Sequence, residues 1–173
     1  MEVYEIGSLE KNPKIGILLC LMPQKMNSLI DFPGQKKVGK KISVYLIGRD
    51  EYTISKYQNI MDDLMSRDLT INAIAEDDKG RIYHHPLAIE DLKNRVLRAI
   101  SRKNFEEDPL RVHRMARFYA QFPDFSVDIN SLEIIRQVGG NIHLMKKISK
   151  ERVSQEVSKA ICAKKTIKLF FLF

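Results

Sequence analysis

Runs of branched and aromatic apolar residues dominate the first third of the chain. Such residues favour strands because they pack well on a pleated surface. Four segments carry them before residue 56: VYEI, IGILLCLM, ISVYLIG and EYTIS. The polar GRDE stretch between the last two predicts a turn. We therefore expect a small β-sheet in this region.

From about residue 57 the apolar positions shift toward the spacing of helices. Asp68 is placed to cap a short helix over LTINAIAED, and DDKG is a hairpin-type turn that leads into a strand at RIYHH. A helix at AIEDLKN and a strand at RVLRAI follow. From Phe105 onward the pattern predicts helix throughout, over 107–121, 130–138 and 149–164, with Gly139 and Gly140 interrupting before the last.

These elements predict an α+β fold, with a small mixed β-sheet head over residues 1–101 followed by an all-helical neck over 102–173. The chain has 173 residues, of which 44% are hydrophobic, so it is long enough to bury a core as one domain or two small ones. Its formal net charge is +7, which favours a polyanionic partner such as RNA. The positive charge is concentrated from Gly140 to Phe173, where the sequence has eight Lys or Arg and two Glu.

The basic surplus has two interpretations, an RNA-binding surface or a solvated helix face. The candidates for the first are Lys146, Lys147, Lys150 and Arg152. Cys20 and Cys162 have no metal-type spacing, so we predict no metal cluster and a cytoplasmic protein. IGILLCLM and the terminal LFFLF are too short to cross a bilayer, so no membrane association is expected, and LFFLF is a candidate surface for a partner.

The stretch FEEDPLRVHRMARF, residues 105–118, combines a helix start with regularly spaced arginines. Pro109 suits the first helical position, which makes Asp108 the N-cap, with its carboxylate accepting from backbone N–H groups. Four residues share the inward face of this helix: Val112, Met115, Ala116 and Tyr119. Arg114 and Arg117 are predicted to point away from that face, and Arg111 to lie at its boundary.

The same stretch allows a structural and a functional interpretation. The structural one is a cap with an Asp–Arg surface pair worth under about 1 kcal/mol. The functional one rests on complementarity, because a carboxylate only accepts hydrogen bonds and a guanidinium only donates them. Adenine and cytosine present an amine donor beside a ring-nitrogen acceptor, whereas guanine and uracil present the reverse. Asp108 beside Arg111 would therefore accept the first two bases and reject the others.

Four stretches of the sequence resemble a known family. EDPLRVHRMARF is similar to the base-reading motif of class II tRNA nucleotidyltransferases, the CCA-adding enzymes, and of bacterial poly(A) polymerases. MSRDLTINAIAEDDKGRIYHHPLAIEDLKNRVLRAIS resembles the family's RRDxTINAxxxD segment with the hairpin and helix after it. KKVGKKISVYLIGRDEYTISK resembles a family strand pair, and SKERVSQEVSKAI a helix at the end of the family's neck.

The resemblance implies a nucleotidyltransferase head and a helical neck. It also implies Mg²⁺-dependent transfer of CMP and AMP from CTP and ATP to the 3′ end of tRNA. On the matching positions, Asp108 and Arg111 would face the base edge, Arg67 the phosphates or ribose, and Asp68 the sugar. Arg114 and Arg117 would complete the nucleotide pocket.

The first thirty residues depart from the family pattern. The family's GGxVRD turn and metal-holding D-x-D are not found there, so no catalytic residue is identified, and Glu51 is the remaining candidate metal ligand. Only YQNIMDDLM stands where the family carries a longer stretch, and KKTIKLFFLF departs from the family neck, which we expect to be incomplete at its C-terminus. Three hypotheses stay open: a CCA-adding enzyme, a poly(A) polymerase, or a catalytically inactive nucleotide- or RNA-binding remnant.

Overall fold

The computed structural model describes residues 20–21, 36–38, 44–47, 50–54, 59–76 and 80–162, with side chains from residue 59 onward. The contacts within the chain form two compact units. Unit 1 comprises residues 1–64 and 74–84, and unit 2 comprises residues 65–73 and 85–173. The predicted division into a head over 1–101 and a neck over 102–173 remains a prediction about family domains.

Unit 1 contains a mixed four-stranded sheet in the order β1-β4-β3-β2. Its strands are β1 (Cys20–Leu21), β2 (Lys36–Val38), β3 (Val44–Ile47) and β4 (Asp50–Ile54). β1 is parallel to β4, and the other two pairings are antiparallel. The sheet confirms the strands predicted at IGILLCLM, ISVYLIG and EYTIS, while VYEI lies outside the described residues. β2 is a strand that the sequence pattern did not predict.

Unit 1 also contains the hairpin predicted around DDKG. β5 (Ile74–Glu76) pairs antiparallel with β6 (Ile82–His84), with Ala75 opposite Tyr83. Gly80 has a φ of 75°, a left-handed conformation that suits glycine. A short helix, α1 (Ile60–Met65), precedes this region in the chain.

The predicted helix over LTINAIAED is wrong. The chain forms a single 3₁₀ turn (Thr70–Asn72) and then enters β5, and Leu69 rather than Asp68 precedes the turn. A surface helix buries one stripe, but here residues 69–71 and 73–75 are all buried. Pairing with β6 satisfies the backbone of β5 in such a setting.

Unit 2 is mostly helical, as predicted. Its helices are α2 (Ala88–Asn94), α3 (Arg102–Glu107), α4 (Leu110–Gln121), α5 (Ile129–Gly139), α6 (Ile142–Met145) and α7 (Lys150–Ile161). The helix predicted over 107–121 starts later, because Asp108 adopts φ −134° and ψ 88° before Pro109 and separates α3 from α4. The other two long predictions correspond to α5 and α7, whose caps are Asp128 and Ser149. α6 was not predicted.

The expectation of an all-helical neck needs one correction. β7 (Val96–Leu97) pairs in parallel with β8 (Ser126–Val127), which lies between α4 and α5. Hydrogen bonds from Ser126 N to Arg95 O (2.9 Å) and from Asp128 N to Leu97 O (3.1 Å) hold this short ladder. β7 confirms the strand predicted at RVLRAI, whereas β8 was not predicted.

The core of unit 2 joins its helices to the segment before β5. Its large, fully buried side chains include Leu69, Ile71, Leu97, Phe105, Val112, Met115 and Val138. The inward face predicted for α4 is confirmed at Val112, Met115 and Ala116, whereas Tyr119 is only half-buried. α4 packs against α7. In the described parts of the chain no helix is long and apolar enough to cross a membrane.

Candidate nucleotide-recognition site

Side chains of α3 and α4 donate hydrogen bonds to the backbone of residues 65–72, called here the 65–72 segment. Asn104 Nδ2 donates to Met65 O and to Arg67 O, each at 2.8 Å. A guanidinium nitrogen of Arg111 donates to Ser66 O at 2.7 Å. Three carbonyls of the segment are therefore held by groups from the helical side of unit 2.

Asp68 is the central anchor of the segment. Its side chain is 4% exposed, and its carboxylate accepts from Arg114 Nε at 2.6 Å, Leu69 N at 2.9 Å and Asn72 Nδ2 at 3.0 Å. Burial would raise the pKa of Asp68, but the Arg114 charge and the hydrogen bonds from Asn72, Arg114 and Leu69 outweigh it and lower the pKa below its ordinary value. The carboxylate is therefore ionised at neutral pH. Protein groups therefore already use three of its acceptor positions. Its contact with a sugar stays a prediction.

Arg67 stabilises the 65–72 segment through a hydrogen bond within the segment itself. One of its guanidinium nitrogens donates to Asn72 O at 2.7 Å, which closes the segment on itself around the 3₁₀ turn. Arg67 is half-buried, and its guanidinium has further N–H donors. Its proposed contact with phosphates or ribose stays a prediction.

The expected N-cap role of Asp108 is wrong. Pro109 stands at the cap position directly before α4, and the helix has no side-chain cap among the described residues. The Asp108 carboxylate instead accepts from both terminal nitrogens of Arg152 on α7, at 3.2 Å to Oδ1 and 2.9 Å to Oδ2. A guanidinium offers two parallel charge-assisted hydrogen bonds, which a single backbone N–H cannot match.

The outward orientation expected for Arg114 and Arg117 is also wrong. Arg114 turns to Asp68, and its side chain is 35% exposed. Arg117 Nε contacts Glu156 Oε2 of α7 at 2.6 Å, with side chains only 12% and 7% exposed. The Arg117 guanidinium also lies 4.0 Å from the centroid of the Phe118 ring, a cation–π distance. Both arginines make partly buried ion pairs, which the helical period of α4 alone does not reveal.

The predicted RNA-binding lysines lie at the α6–α7 junction. Lys146 and Lys147 follow α6, Lys150 starts α7, and all three are exposed. Arg152, predicted with them, is half-exposed and pairs with Asp108. The lysines thus stay candidates for an RNA contact, while Arg152 has a partner within unit 2.

The described side chains do not fit a divalent metal site. Among residues 59–76 and 80–162 no group of three or more His, Cys, Asp or Glu is placed to hold an ion. Asp68 is committed to Arg114 and two further donors. Glu51 lies on β4 opposite Leu46, and its side chain is outside the described ones. Its role as a metal ligand stays a prediction.

The structure thus brings Arg67, Asp68, Arg111 and Arg114 together at the 65–72 segment. Asp108, just before α4, is joined to Arg111 by a backbone hydrogen bond and to Arg152 by its side chain. Arg117 joins α4 to α7 instead. Sequence reasoning missed Asn104, a buried amide that holds two carbonyls of the 65–72 segment. A polar residue on the inward side of α3 was the available signal for it.

Comparison with known proteins gives consistent findings. Residues 30–98 match the family model of the poly A polymerase head domain. A CCA-adding enzyme of Coxiella burnetii is 32% identical over 200 aligned positions, which cover 98% of this chain and 51% of that protein. The chain therefore spans about half the length of that relative. Because the 200 aligned positions exceed the 173 residues of the chain by 27, at least that many have no counterpart here.

Solved structures agree with this similarity. The Bacillus stearothermophilus CCA-adding enzyme in complex with CTP superposes with a TM-score of 0.71 at 27% identity, covering 85% of this chain and 40% of that one. The Thermotoga maritima CCA-adding enzyme complexed with tRNA has a TM-score of 0.69 at 26% identity, covering 84% and 37%. These likenesses support the α+β fold predicted from the sequence.

Proposed function

Because the chain belongs to the class II tRNA nucleotidyltransferase family, we propose that its function is to select CTP and ATP at the start of α4, as part of CCA addition to tRNA. Asp108 and Arg111 read the base edge in this proposal. Arg67 contacts the phosphates or ribose, and Asp68 contacts the sugar while it anchors Arg114, which completes the pocket. Arg117 supports the pocket indirectly by holding α7.

One observation carries the proposal: Asp108, directly before Pro109 and α4, is joined by a backbone hydrogen bond to Arg111 in the first turn of α4. The backbone N–H of Arg111 donates to Asp108 O at 3.0 Å. The Arg111 side chain is anchored by one nitrogen on Ser66 O, which leaves further N–H donors on the guanidinium. An acceptor beside a donor is complementary to the edges of cytosine and adenine.

The substrates and partners come from the relatives. CTP is bound in the Bacillus stearothermophilus structure and tRNA in the Thermotoga maritima structure. A further structure of a CCA-adding enzyme contains ATP. We assign CTP, ATP and a tRNA 3′ end to this chain on that basis, with Lys146, Lys147 and Lys150 as candidate RNA contacts. A cytoplasmic location and Mg²⁺ dependence belong to the same proposal. Mg²⁺ would polarise the triphosphate, although the described side chains offer no ligand set for it.

A second candidate function is nucleotide and RNA binding without transfer. The observation that favours it is the sequence before residue 30, which contains no D-x-D. The 27 or more aligned positions without a counterpart point the same way. In this case the selecting site persists without the carboxylates that would hold the metal.

The first experiment measures dissociation constants of the full chain for CTP, ATP, GTP and UTP by isothermal titration calorimetry. We expect CTP and ATP to bind at least about tenfold more tightly, because guanine and uracil would place a carbonyl oxygen opposite the Asp108 carboxylate and an N–H opposite the Arg111 guanidinium. Asp108→Asn should remove this preference. Glu107→Gln, which takes the same charge from the adjacent exposed residue, should keep it. Equal affinity for all four nucleotides in the wild type would contradict the proposed function.

The second experiment separates the two candidate functions. Labelled CTP and ATP are incubated with tRNA that lacks its 3′ end, Mg²⁺ and the folded chain. Incorporation supports the CCA-adding function, and selective binding without incorporation supports the binding module. Incorporation of ATP alone into RNA of any 3′ end would instead indicate poly(A) synthesis.

A further inference from the structure

We propose that Arg152 on α7 is a positioning residue, which orients the Asp108 carboxylate for base reading and so sets the preference for cytosine and adenine. The inference rests on the proposed function of Asp108. It assigns to a residue 44 positions away in sequence a part in nucleotide selection. Arg152 acts through Asp108 and needs no contact with the nucleotide.

The need for such a residue arises from the position of Asp108. It lies between α3 and α4, with its backbone in neither helix, and it caps neither α4 nor any other described helix with its side chain. Its side chain is 33% exposed, so packing does not fix its rotamer. A base amine donates well only when a carboxylate oxygen lies nearly in line with its N–H bond, because a hydrogen bond weakens steeply when the donor–hydrogen–acceptor angle falls below about 120°. A freely rotating carboxylate would discriminate poorly.

The guanidinium of Arg152, whose two terminal nitrogens form a fork, supplies this constraint. Its two terminal nitrogens donate to separate oxygens of Asp108, at 3.2 Å and 2.9 Å, and two parallel hydrogen bonds fix both side-chain torsions of the aspartate. A carboxylate has about four lone-pair sites, two on each oxygen. Arg152 uses one on each, so each oxygen keeps one for the exocyclic amine of a base. The contact therefore orients the acceptor without exhausting it.

α7 is itself fixed relative to α4, so the Arg152 side chain extends from a fixed backbone position. Ser149 caps α7 by accepting from the backbone N–H of Arg152, which lies in the first turn of the helix. One turn further along the same face, Glu156 makes the ion pair with Arg117 over the Phe118 ring. This second contact is nearly buried, which keeps water from competing for it. Arg152 thus reaches Asp108 from a helix that is anchored elsewhere.

The test compares four variants for their affinities toward ATP, CTP, GTP and UTP. Arg152→Gln is expected to reduce the preference for ATP over GTP and for CTP over UTP by about threefold to tenfold. Arg152→Lys keeps the charge but cannot form the fork, so the preference should stay reduced. Arg136→Gln removes the same charge from the exposed face of α5 and should leave the preference unchanged. In an Asp108→Asn background, Arg152→Gln should change nothing further.

The outcomes separate this inference from other roles of Arg152. If Arg152→Gln weakens the binding of all four nucleotides equally, the arginine supports the structure only and the proposal is overturned. If it strengthens binding at constant preference, Arg152 blocks the site and the proposal is also overturned. Because the Arg152 side chain is half-exposed, the variant should fold and melt within about 3 °C of the wild type. If the wild type shows no preference among the four nucleotides, the proposed function itself fails. If the wild type shows the preference and Arg152→Gln shows the same preference, only this inference fails.

Discussion

Replacing Asp68 by asparagine tests whether the 65–72 segment is anchored electrostatically. The carboxylate accepts three hydrogen bonds, from Leu69 N, Asn72 Nδ2 and Arg114 Nε. Hydrogen bonds to a charged group stabilise by about 1.5–3 kcal/mol and neutral ones by about 0.5–1.5. The asparagine oxygen can still accept from Leu69 N and Asn72 Nδ2, each weakened by about 1 kcal/mol, but its NH2 cannot accept from Arg114 Nε, so that bond is lost. Because Arg114 is about one-third exposed and regains some hydration, we expect a loss of about 3 kcal/mol in the free energy of unfolding. Urea titration followed by circular dichroism measures it.

The matched control removes an equivalent charge from an exposed pair. Glu106 contacts Arg102 Nε at 2.7 Å one turn away on α3, and both side chains are more than 40% exposed. Glu106→Gln should cost less than about 0.5 kcal/mol. If Asp68→Asn costs no more than this control, the segment is held by packing alone and the electrostatic reasoning is refuted.

The pH dependence of the same variant gives an independent check. The pKa of Asp68 is lower in the folded chain than in the unfolded one, so its charge stabilises the fold above the unfolded pKa of about 3.9. This contribution is lost as the pH falls through the lower folded pKa. The stability difference between wild type and Asp68→Asn should be constant from pH 5 to 8, within about 0.5 kcal/mol, and shrink below about pH 4. Burial also lowers the pKa of His113, but that group is common to both proteins and cancels in the difference.

Three further changes test the contacts around the site. Asn104→Ala removes two hydrogen bonds to carbonyls of the 65–72 segment, and we expect urea titration to show a loss of about 2 kcal/mol. Glu156→Gln leaves Arg117 nearly buried without its charged partner, which should cost about 2–3 kcal/mol by the same measurement and weaken nucleotide preference. At Gly140 an added Cβ would lie 2.9 Å from a backbone carbonyl oxygen, so Gly140→Ala should lower the melting temperature. Gly139→Ala, with only an ordinary 3.5 Å contact, should not lower it.

The parts of the fold that depend on local signals were predictable. α5 and α7 begin at residues whose side chains accept from the backbone three positions on, Asp128 and Ser149. β6 was predicted from RIYHH after the turn-type sequence DDKG, whereas its partner β5 was predicted as helix. The strands β2 and β8 have two or three residues each, and they exist because another part of the chain pairs with them. Such distant pairing leaves no periodic trace in the strand itself.

The site shows the same limit at the level of side chains. The residue types that make a donor–acceptor pair, Asp108 and Arg111, are visible in the sequence because they are neighbours. The partners that decide where the arginines and aspartates point are not, because Arg152 lies 44 positions from Asp108 and Glu156 lies 39 from Arg117. The expected cap and outward arginines failed for this reason. A charged group on a helix edge turns to whichever opposite charge the tertiary fold brings near.

The three-residue spacing of the α4 arginines acquires a geometric meaning from these partners. A residue three positions on is rotated by about 60° and displaced by about 4.5 Å along an α-helix. Arg111, Arg114 and Arg117 therefore fan across about 120°, too wide for one pocket and wide enough to reach two neighbours. The first two contact the 65–72 segment, and the third contacts α7. One helix thus connects the segment that contains Arg67 and Asp68 to the helix that contains Arg152. We therefore expect substitutions in α7 to change the proposed selection of the base.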